Sequence, residues 1–385
     1  MPPTVKRGNI LSVTDTTNIK LDVSDVIDQL SPEEVPILDL IGKDSLKTPC
    51  DQLEHQWLED ELRPRSGTLA AAYTAGSGTI ILAAGQGQYL VSDDLVIVGD
   101  NVMRVESGPG ADTLQITAGL GDSNDTNQAN GSTWRKLGHA AQEAGVARTD
   151  AAKTVIVKPS NFTQIFKDWT MVSGTMQAIQ RYGYASEWSY QIEKVLKQLA
   201  IDMELNLVYG VKTAANGPPR KSTMGGLFQY IFLPGVANAW NTVQNLAGGE
   251  LTEITLNNAL QRIWEVGGMP DTIFVNGFNK RKISGWATPR IRTTRDERTA
   301  GNYVTTYESD FGDLDIYKDR WLRPSDVLVL TKDEIGIGPL NGRQFSSREL
   351  PVTGDFKWYE ILGEYTMEVH KGATAHGWIY NTATA

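Results

Sequence analysis

The sequence predicts an α+β protein with a small all-β module set inside one of its hairpins. Three observations carry this. A long amphipathic pattern over 185–210 reads as one unbroken helix. Between Gly67 and Gly145, short β-type runs alternate with Gly, Asp, Asn and Pro clusters. From Thr252 onward, helical and extended patterns interleave. With 385 residues, 40% of them hydrophobic, the chain is long enough for several domains with real cores.

Taken in order, residues 1–20 are polar and read as an extended arm. "LDVSDVIDQL" (21–30) sets Val23, Val26, Ile27 and Leu30 at helical spacing. "SPEEVPILDLIG" (31–42) adds an apolar group, Val35, Ile37, Leu38, Leu40 and Ile41, between Pro32 and Gly42. Ser31 is placed to cap, Pro32 to open the helix and Gly42 to end it. Residues 51–65 alternate at Leu53, His55 and Trp57 as a strand does, with a helix as the alternative reading. Residues 158–174, "KPSNFTQIFKDWTMVSG", resume an extended pattern able to pair with them. The intervening runs "TIILAA", "QYLVS", "LVIVG", "VMRVES" and "TLQITA" form the inserted module.

The helix over 185–210 carries Trp188, Ile192, Val195, Leu196, Leu199, Met203 and Leu207 as an apolar stripe. Ser186 can cap it, and Gly210 stops it. At 1.5 Å per residue such a rod is about 36 Å long. After a linker at 217–227 comes a helix over 252–268 with Leu256, Leu260, Ile263 and Trp264 inward. A buried strand, "DTIFVNG", and a second helix from Phe278 follow. "DLDIYKD", "DVLVLT", "EIGIGPL" and "EYTMEVHKG" complete the strands.

The chemistry is sparse. One cysteine, Cys50, excludes an intrachain disulfide and a cysteine metal cluster. His370 and His376 would sit ~20 Å apart on a continuous strand, so a structural role is the expectation for both. "IGKDS" (41–45) fails as a phosphate loop, with Ile37 where a glycine is required and Asp44 where a hydroxyl is. "DSNDTNQANGST" (122–133) fails as a calcium loop at Asn127 and Thr133. No G-x-S-x-G elbow occurs. Adjacent acids such as Glu59, Asp60 and Glu61 point to alternate faces of a strand and make poor catalytic pairs. No enzyme activity, cofactor or metal is expected. With no signal-peptide core and no long apolar run, a soluble chain made inside the cell is expected, without a membrane.

The net charge of −10 weighs against a protein that wraps nucleic acid. One basic stretch stands out, 279–298. Lys280, Arg281, Lys282, Arg290, Arg292, Arg295 and Arg298 face only Asp296 and Glu297 there. Complementarity to an acidic segment of another copy, such as Glu59, Asp60 and Glu61, is one reading. A nucleic-acid contact and a solvated loop are the others.

The order of these parts resembles the major capsid proteins of tailed bacteriophages, the Hong Kong 97 fold, in the form with a β-domain inserted in the extended loop. The stretches that carry the likeness are 22–43, 161–183, the rod helix, 264–285, 307–317 and 350–377. The resemblance implies an N-terminal arm at 1–50 and an extended-loop hairpin at 51–66 and 147–175. It implies an inserted β-domain at 67–146. A peripheral domain would span 176–221 and 346–385, with spine helix 185–210, and an axial domain 222–345. A built-in scaffolding segment would be absent or already removed.

The implied function is a shell of hexamers and pentamers enclosing double-stranded DNA without sequence-specific binding. Scaffolding, portal and decoration proteins are the possible partners. The implied location is the virion capsid, assembled in the host cytoplasm. An encapsulin-like compartment of the same fold is the alternative, and a carbohydrate-active enzyme with a β-type binding module is a weaker one. On this reading Val35, Ile37, Leu38 and Leu40 stay uncovered until a sister copy arrives. Arg290, Arg292, Arg295 and Arg298 would meet Glu59, Asp60 and Glu61 of a neighbour.

Overall fold

The computed structural model describes residues 34–42, 45–60, 62–108, 110–121, 123–140, 154–179, 187–214, 219–232, 242–286, 291–293, 304–351 and 354–384. The chain divides into two units, one of Met1–Trp57 with Ser160–Ala385 and one of Leu58–Pro159. Helices of the first unit are α1 (Pro36–Ile41), α2 (Gly174–Ala178), α3 (Glu187–Tyr209), α4 (Glu253–Glu265) and α5 (Gly277–Ser284).

Within the first unit, a seven-stranded mixed sheet has the order Val243–Asn245, Gly377–Tyr380, Val327–Leu330, Thr272–Val275, Gly312–Lys318, Val304–Ser309, Ile291–Thr293. Its central strands, "VLVL" and "TIFV", are buried at every position. Unbroken apolar runs are what a strand covered on both faces requires. Leu256, Leu260 and Ile263 of α4 pack there with Ile273, Val275 and Val329. The Thr252 and Thr255 side chains form a capping box at the start of α4, and Asn276 caps α5. Trp264, expected inward, is 55% exposed and meets Phe311 at 5.9 Å between ring centroids. It stands 100° beyond Ile263, on the flank of the helix rather than on its buried face.

A second sheet is built on the long strand Phe356–Val369, which pairs with Ile335–Pro339, Ser346–Glu349 and Gln164–Ser173. The expectation that 158–174 pairs with 51–65 holds only at its start. Glu54–Gln56 pairs with Ser160–Phe162, whereas Gln164 to Ser173 runs antiparallel to Tyr365 to Phe356. Its inward positions, Phe166 and Val172, are buried in that pairing. α3 lies against this sheet and buries Val195, Leu199, Met203, Leu207 and Val208. Leu196, expected in the stripe, is exposed, one position round from the ridge of Val195, Leu199 and Met203. Ser186 lies outside the described residues. The helix ends at Gly210, where the backbone of Met224–Gly226 crosses. A Cβ on Gly226 would come within 2.4 Å of Asn206 O, so only glycine fits the crossing.

The second unit holds a six-stranded antiparallel sheet in the order Ser66–Thr68, Thr133–His139, Asp94–Val98, Asn101–Ser107, Thr113–Ala118, Thr79–Ile81. Val96, Val98, Met103, Val105, Leu114 and Trp134 form its core. "QYLVS", expected as a strand, instead begins as a 3₁₀ turn at Gly87–Tyr89. The Asp112 carboxylate accepts from the Gly85 and Gly87 amides and holds that bend.

Candidate functional site

Two places bear on what the chain can do: the seat of the arm and the apolar surface left open. α1 is one and a half turns long, too short to persist by itself. Val35 stands at its N-cap and offers no side-chain acceptor. Glu204, fully buried on α3, supplies it instead. One carboxylate oxygen accepts from the Ile37 amide and the other from the Leu38 amide, each at 2.8 Å. Trp321 Nε1 donates to the Glu34 carbonyl at 2.8 Å.

Ile37 is 0% and Leu38 2% exposed, and Val35 and Leu40 are half-buried. All four pack on the core that contains Met203, Leu207 and Leu328. Against the expectation that Val35, Ile37, Leu38 and Leu40 stay uncovered until a sister copy arrives, Ile37 and Leu38 are covered by their own chain, while Val35 and Leu40 keep part of their surface open. The spine stripe and the α1 group are both too apolar to remain apart in water.

Further along the chain, the strand Phe356–Val369 carries Glu360, Glu364 and Glu368 on one face, all nearly without exposure. Each carboxylate is held by two basic side chains from different segments. Lys167 and Arg348 hold Glu360. Arg220, at 3.2 Å, and Arg343, at 2.7 Å, hold Glu364. His55 and His370 hold Glu368, which also accepts from the Lys47 amide and the Thr48 hydroxyl at 3.2 Å. Glu368 thus ties the segment after the arm, the first hairpin strand and the end of the long strand together. Burial resists its ionisation, but hydrogen bonds from His370 and His55 hold it below the usual carboxylate range. Hydrogen bonding to Cys50 and to Glu368, opposed by burial, pushes His55 up to about 9. These are bracing pairs, and sequence inspection missed the row because its partners are distant in the chain.

His376 is structural. It accepts from the Thr331 amide at Nδ1 and lies 3.2 Å from the His370 carbonyl through Nε2. Burial, against that second bond, lowers its pKa to about 4. Among the described residues no group of His, Cys, Asp and Glu is arranged to hold a metal ion. No helix there is long and apolar enough to cross a membrane.

Of the other predicted contact residues, Glu59 is half-buried and exchanges backbone bonds with Val157, while Asp60 is exposed. Arg292 lies in the short strand Ile291–Thr293, paired to Val304–Ser309. Glu61, Arg290, Arg295 and Arg298 lie outside the described residues. Lys280 does not belong to a basic surface. It is buried, its Nζ donates to Ile316 O, and burial lowers its pKa to about 8.

The open apolar surface lies elsewhere. In the second unit, the ribbon bridged at Glu59 and Val157 exposes Leu58, Leu62, Val155, Ile156 and Val157, with Leu62 95% exposed. In the first unit, the outward face of the sheet shows Ile165, Trp169, Met171 and Trp358. Met171 and Trp358 sit directly opposite one another. Contiguous exposure of this kind marks an interaction surface. The signal was present in "QIFKDWTMVS", where large apolar side chains occupy both faces of one strand.

An antiparallel sheet on a long strand, a rod helix behind it, a separate α/β lobe and a β-unit carried in an insertion define the Hong Kong 97-like fold of viral shell proteins. Solved structures agree. A cyanophage A-1(L) capsid protein matches with a TM-score of 0.55 at 12% identity, over 97% of this chain and 100% of that one. A subunit from the capsid of a native GTA particle matches at 0.56 and 9%, over 98% and 100%. One from Mycobacterium phage Bobi matches at 0.52 and 11%, over 97% and 99%. No curated protein sequence matches. The SU10 major capsid protein family model matches residues 10–383, and the chain belongs to that family. It is a major capsid protein of the tailed-phage type, a structural component of a virion shell.

Proposed function

We propose that the chain builds hexamers and pentamers of an icosahedral shell enclosing double-stranded DNA. The hairpin ribbon of one copy supplies an apolar contact to its neighbour. The observation that carries this reading is the exposed row Leu58, Leu62, Val155, Ile156 and Val157. Open apolar surface of this extent needs a cover, and the structural relatives are subunits of capsids.

A closed shell engages many contacts at once, so each can be weak and the particle still stable. Charge pairing of Arg290, Arg292, Arg295 and Arg298 with Glu59, Asp60 and Glu61 of a neighbour would set register rather than strength. The net charge of −10 suits a container whose wall does not grip the genome, so DNA is enclosed without sequence-specific binding. Scaffolding, portal and decoration proteins are the partners this role calls for, with assembly in the host cytoplasm.

The test is size-exclusion chromatography and electron microscopy of the expressed protein, beside a Leu62→Asp/Val155→Asp variant. Hexamers, pentamers or shells from the parent chain, and smaller species from a folded variant, support the reading. A parent chain that stays monomeric at high concentration, or a variant that assembles unchanged, overturns it.

A further inference from the structure

Four Asn-Gly pairs occur in the chain, with the asparagine at 130, 216, 276 and 341. Asn216 lies outside the described residues. Asparagine is a thermolabile residue, and a following glycine makes it more so. The glycine backbone nitrogen can attack the asparagine side-chain carbonyl, and no Cβ obstructs the approach. In a folded chain two conditions decide whether this happens. The glycine amide must not be engaged in a hydrogen bond, and the asparagine side chain must be able to turn.

The three described pairs differ on both counts. At Asn130, the Gly131 amide donates to Leu69 O at 3.0 Å, so the attacking nitrogen is engaged. At Asn276, the side chain is half-buried and held at both ends. Its Oδ1 accepts from the Phe278 amide at 3.3 Å as the cap of α5, and its Nδ2 donates to Leu322 O at 2.9 Å. At Asn341, both the asparagine and Gly342 are exposed. Among the described residues the Gly342 amide has no hydrogen-bond acceptor. Gly342 has φ +75°, and nothing lies within 4 Å of where a Cβ would stand. The Asn341 side chain has one tether, from Nδ2 to Oδ1 of the exposed Asp51 at 3.1 Å. A single hydrogen bond facing water holds weakly.

The flanks of this turn are fixed. Arg343 N donates to Leu340 O, Leu340 N to Glu364 O and Asn341 N to Cys50 O, each at 2.8 Å. Cys50 and Leu340 also form a parallel bridge. The tip is open, while its ends join the segment after the arm to the long strand Phe356–Val369.

We propose that Asn341 is a site of spontaneous deamidation, and that the change loosens residues 50–52 from this turn. The Gly342 nitrogen forms a bond to Cγ of Asn341 and gives up its proton to water. The Cγ–Nδ2 bond breaks, and Nδ2 takes up a proton and leaves as ammonia, closing a succinimide ring. Water then opens the ring at either carbonyl, giving aspartate or isoaspartate. No electrons change hands, and water is the sole co-reactant. Both products replace a donor to Asp51 with a like charge. Isoaspartate also adds a methylene to the main chain inside the turn closed by Leu340 and Arg343. The bond from Asn341 N to Cys50 O bears the strain of either change. This chemistry belongs to the single chain and does not rest on shell assembly.

The test is incubation of the folded full-length chain in mildly alkaline buffer, followed by peptide mapping that resolves isoaspartate. Each conversion rate is divided by that of the same pair in the urea-unfolded chain. Asn341 is expected to convert ahead of Asn130 by about 2- to 12-fold, the factor one net hydrogen bond supplies, and further ahead of Asn276. Asn341 converting no faster than the other two overturns the site. Hydrogen exchange, corrected for intrinsic rates, reads the second half of the proposal. At the residue-341 amide, aged parent chain and an Asn341→Asp variant are both expected to exchange about 2- to 12-fold faster than fresh parent. Exchange there that stays at the fresh parent's rate in both overturns the loosening.

Discussion

The arm helix and the hairpin ribbon are both short, both apolar and both next to acids, yet they end in opposite environments. In α1, Ile37, Leu38 and Ile41 face the spine helix, and its free amides meet a buried glutamate. In the ribbon, Leu58, Leu62 and Val155–Val157 are in water although their backbones are bridged. Apolar content therefore does not separate core from interface. What separates them is whether the same chain supplies an apolar surface and a polar partner within reach. α3 supplies both to the arm, through the Met203/Leu207 ridge and Glu204. In the ribbon, Leu58, Leu62 and Val155–Val157 meet no such surface among the described residues and stay exposed.

The largest expected effect breaks this comparison at the arm. Ile37→Ala should cost about 2–5 kcal/mol in urea unfolding, the usual cost of emptying a fully buried aliphatic site. A cost within about 0.5 kcal/mol would mean that the arm contributes little to the monomer. Next is pH. His55 has a raised pKa, so its contribution is complete below about 6.5 and declines as pH climbs to about 9. A loss of about 2 kcal/mol over that window is expected in the parent chain, and His55→Gln should remove it. Glu368, held low, works at the other end. Its contribution is present above about 4.5 and is lost in stronger acid.

A smaller effect sharpens the account of the arm. Trp321→Phe deletes the bond to the Glu34 carbonyl and should cost about 0.5–1.5 kcal/mol. It should also raise proteolytic cleavage near Glu34 without changing that of the inserted unit. The smallest effect on folding belongs to the ribbon. Leu62→Ser should change unfolding free energy by less than about 0.5 kcal/mol, as surface changes do, while lowering the yield of assembled particles seen by electron microscopy. A variant that unfolds instead would place Leu62 in a core.

Much of the fold was legible because local pattern and tertiary outcome agree. Helix α3 falls at Glu187–Tyr209 within the expected 185–210, α4 lies within 252–268, and "TIFV" and "VLVL" are central strands. Each misreading has a pairing or packing cause. Gln164–Ser173 was expected to continue one hairpin, but Phe356–Val369 offers a longer partner. Trp264 and Leu196 lie one helical position off their buried ridges, too small an angle for a periodicity to resolve. In the candidate surfaces, the acids and arginines were named by charge. The exposed ribbon went unread because it resembles any half-buried strand until its cover is known.

What the amino-acid order alone determined was the type and sequence of parts: an arm, a hairpin, a β-insert, a rod helix and an α/β lobe. Periodicity, caps and turn residues act over a few positions and need no distant partner. Tertiary structure alone decided which apolar groups are covered and which buried acids are neutralised. Ile37 shares a core with Met203, 166 positions further along the chain, and the Glu204 carboxylate accepts from the Ile37 amide across a separation of 167. Burial and pairing depend on what arrives from far away in the chain, and no local pattern encodes that arrival.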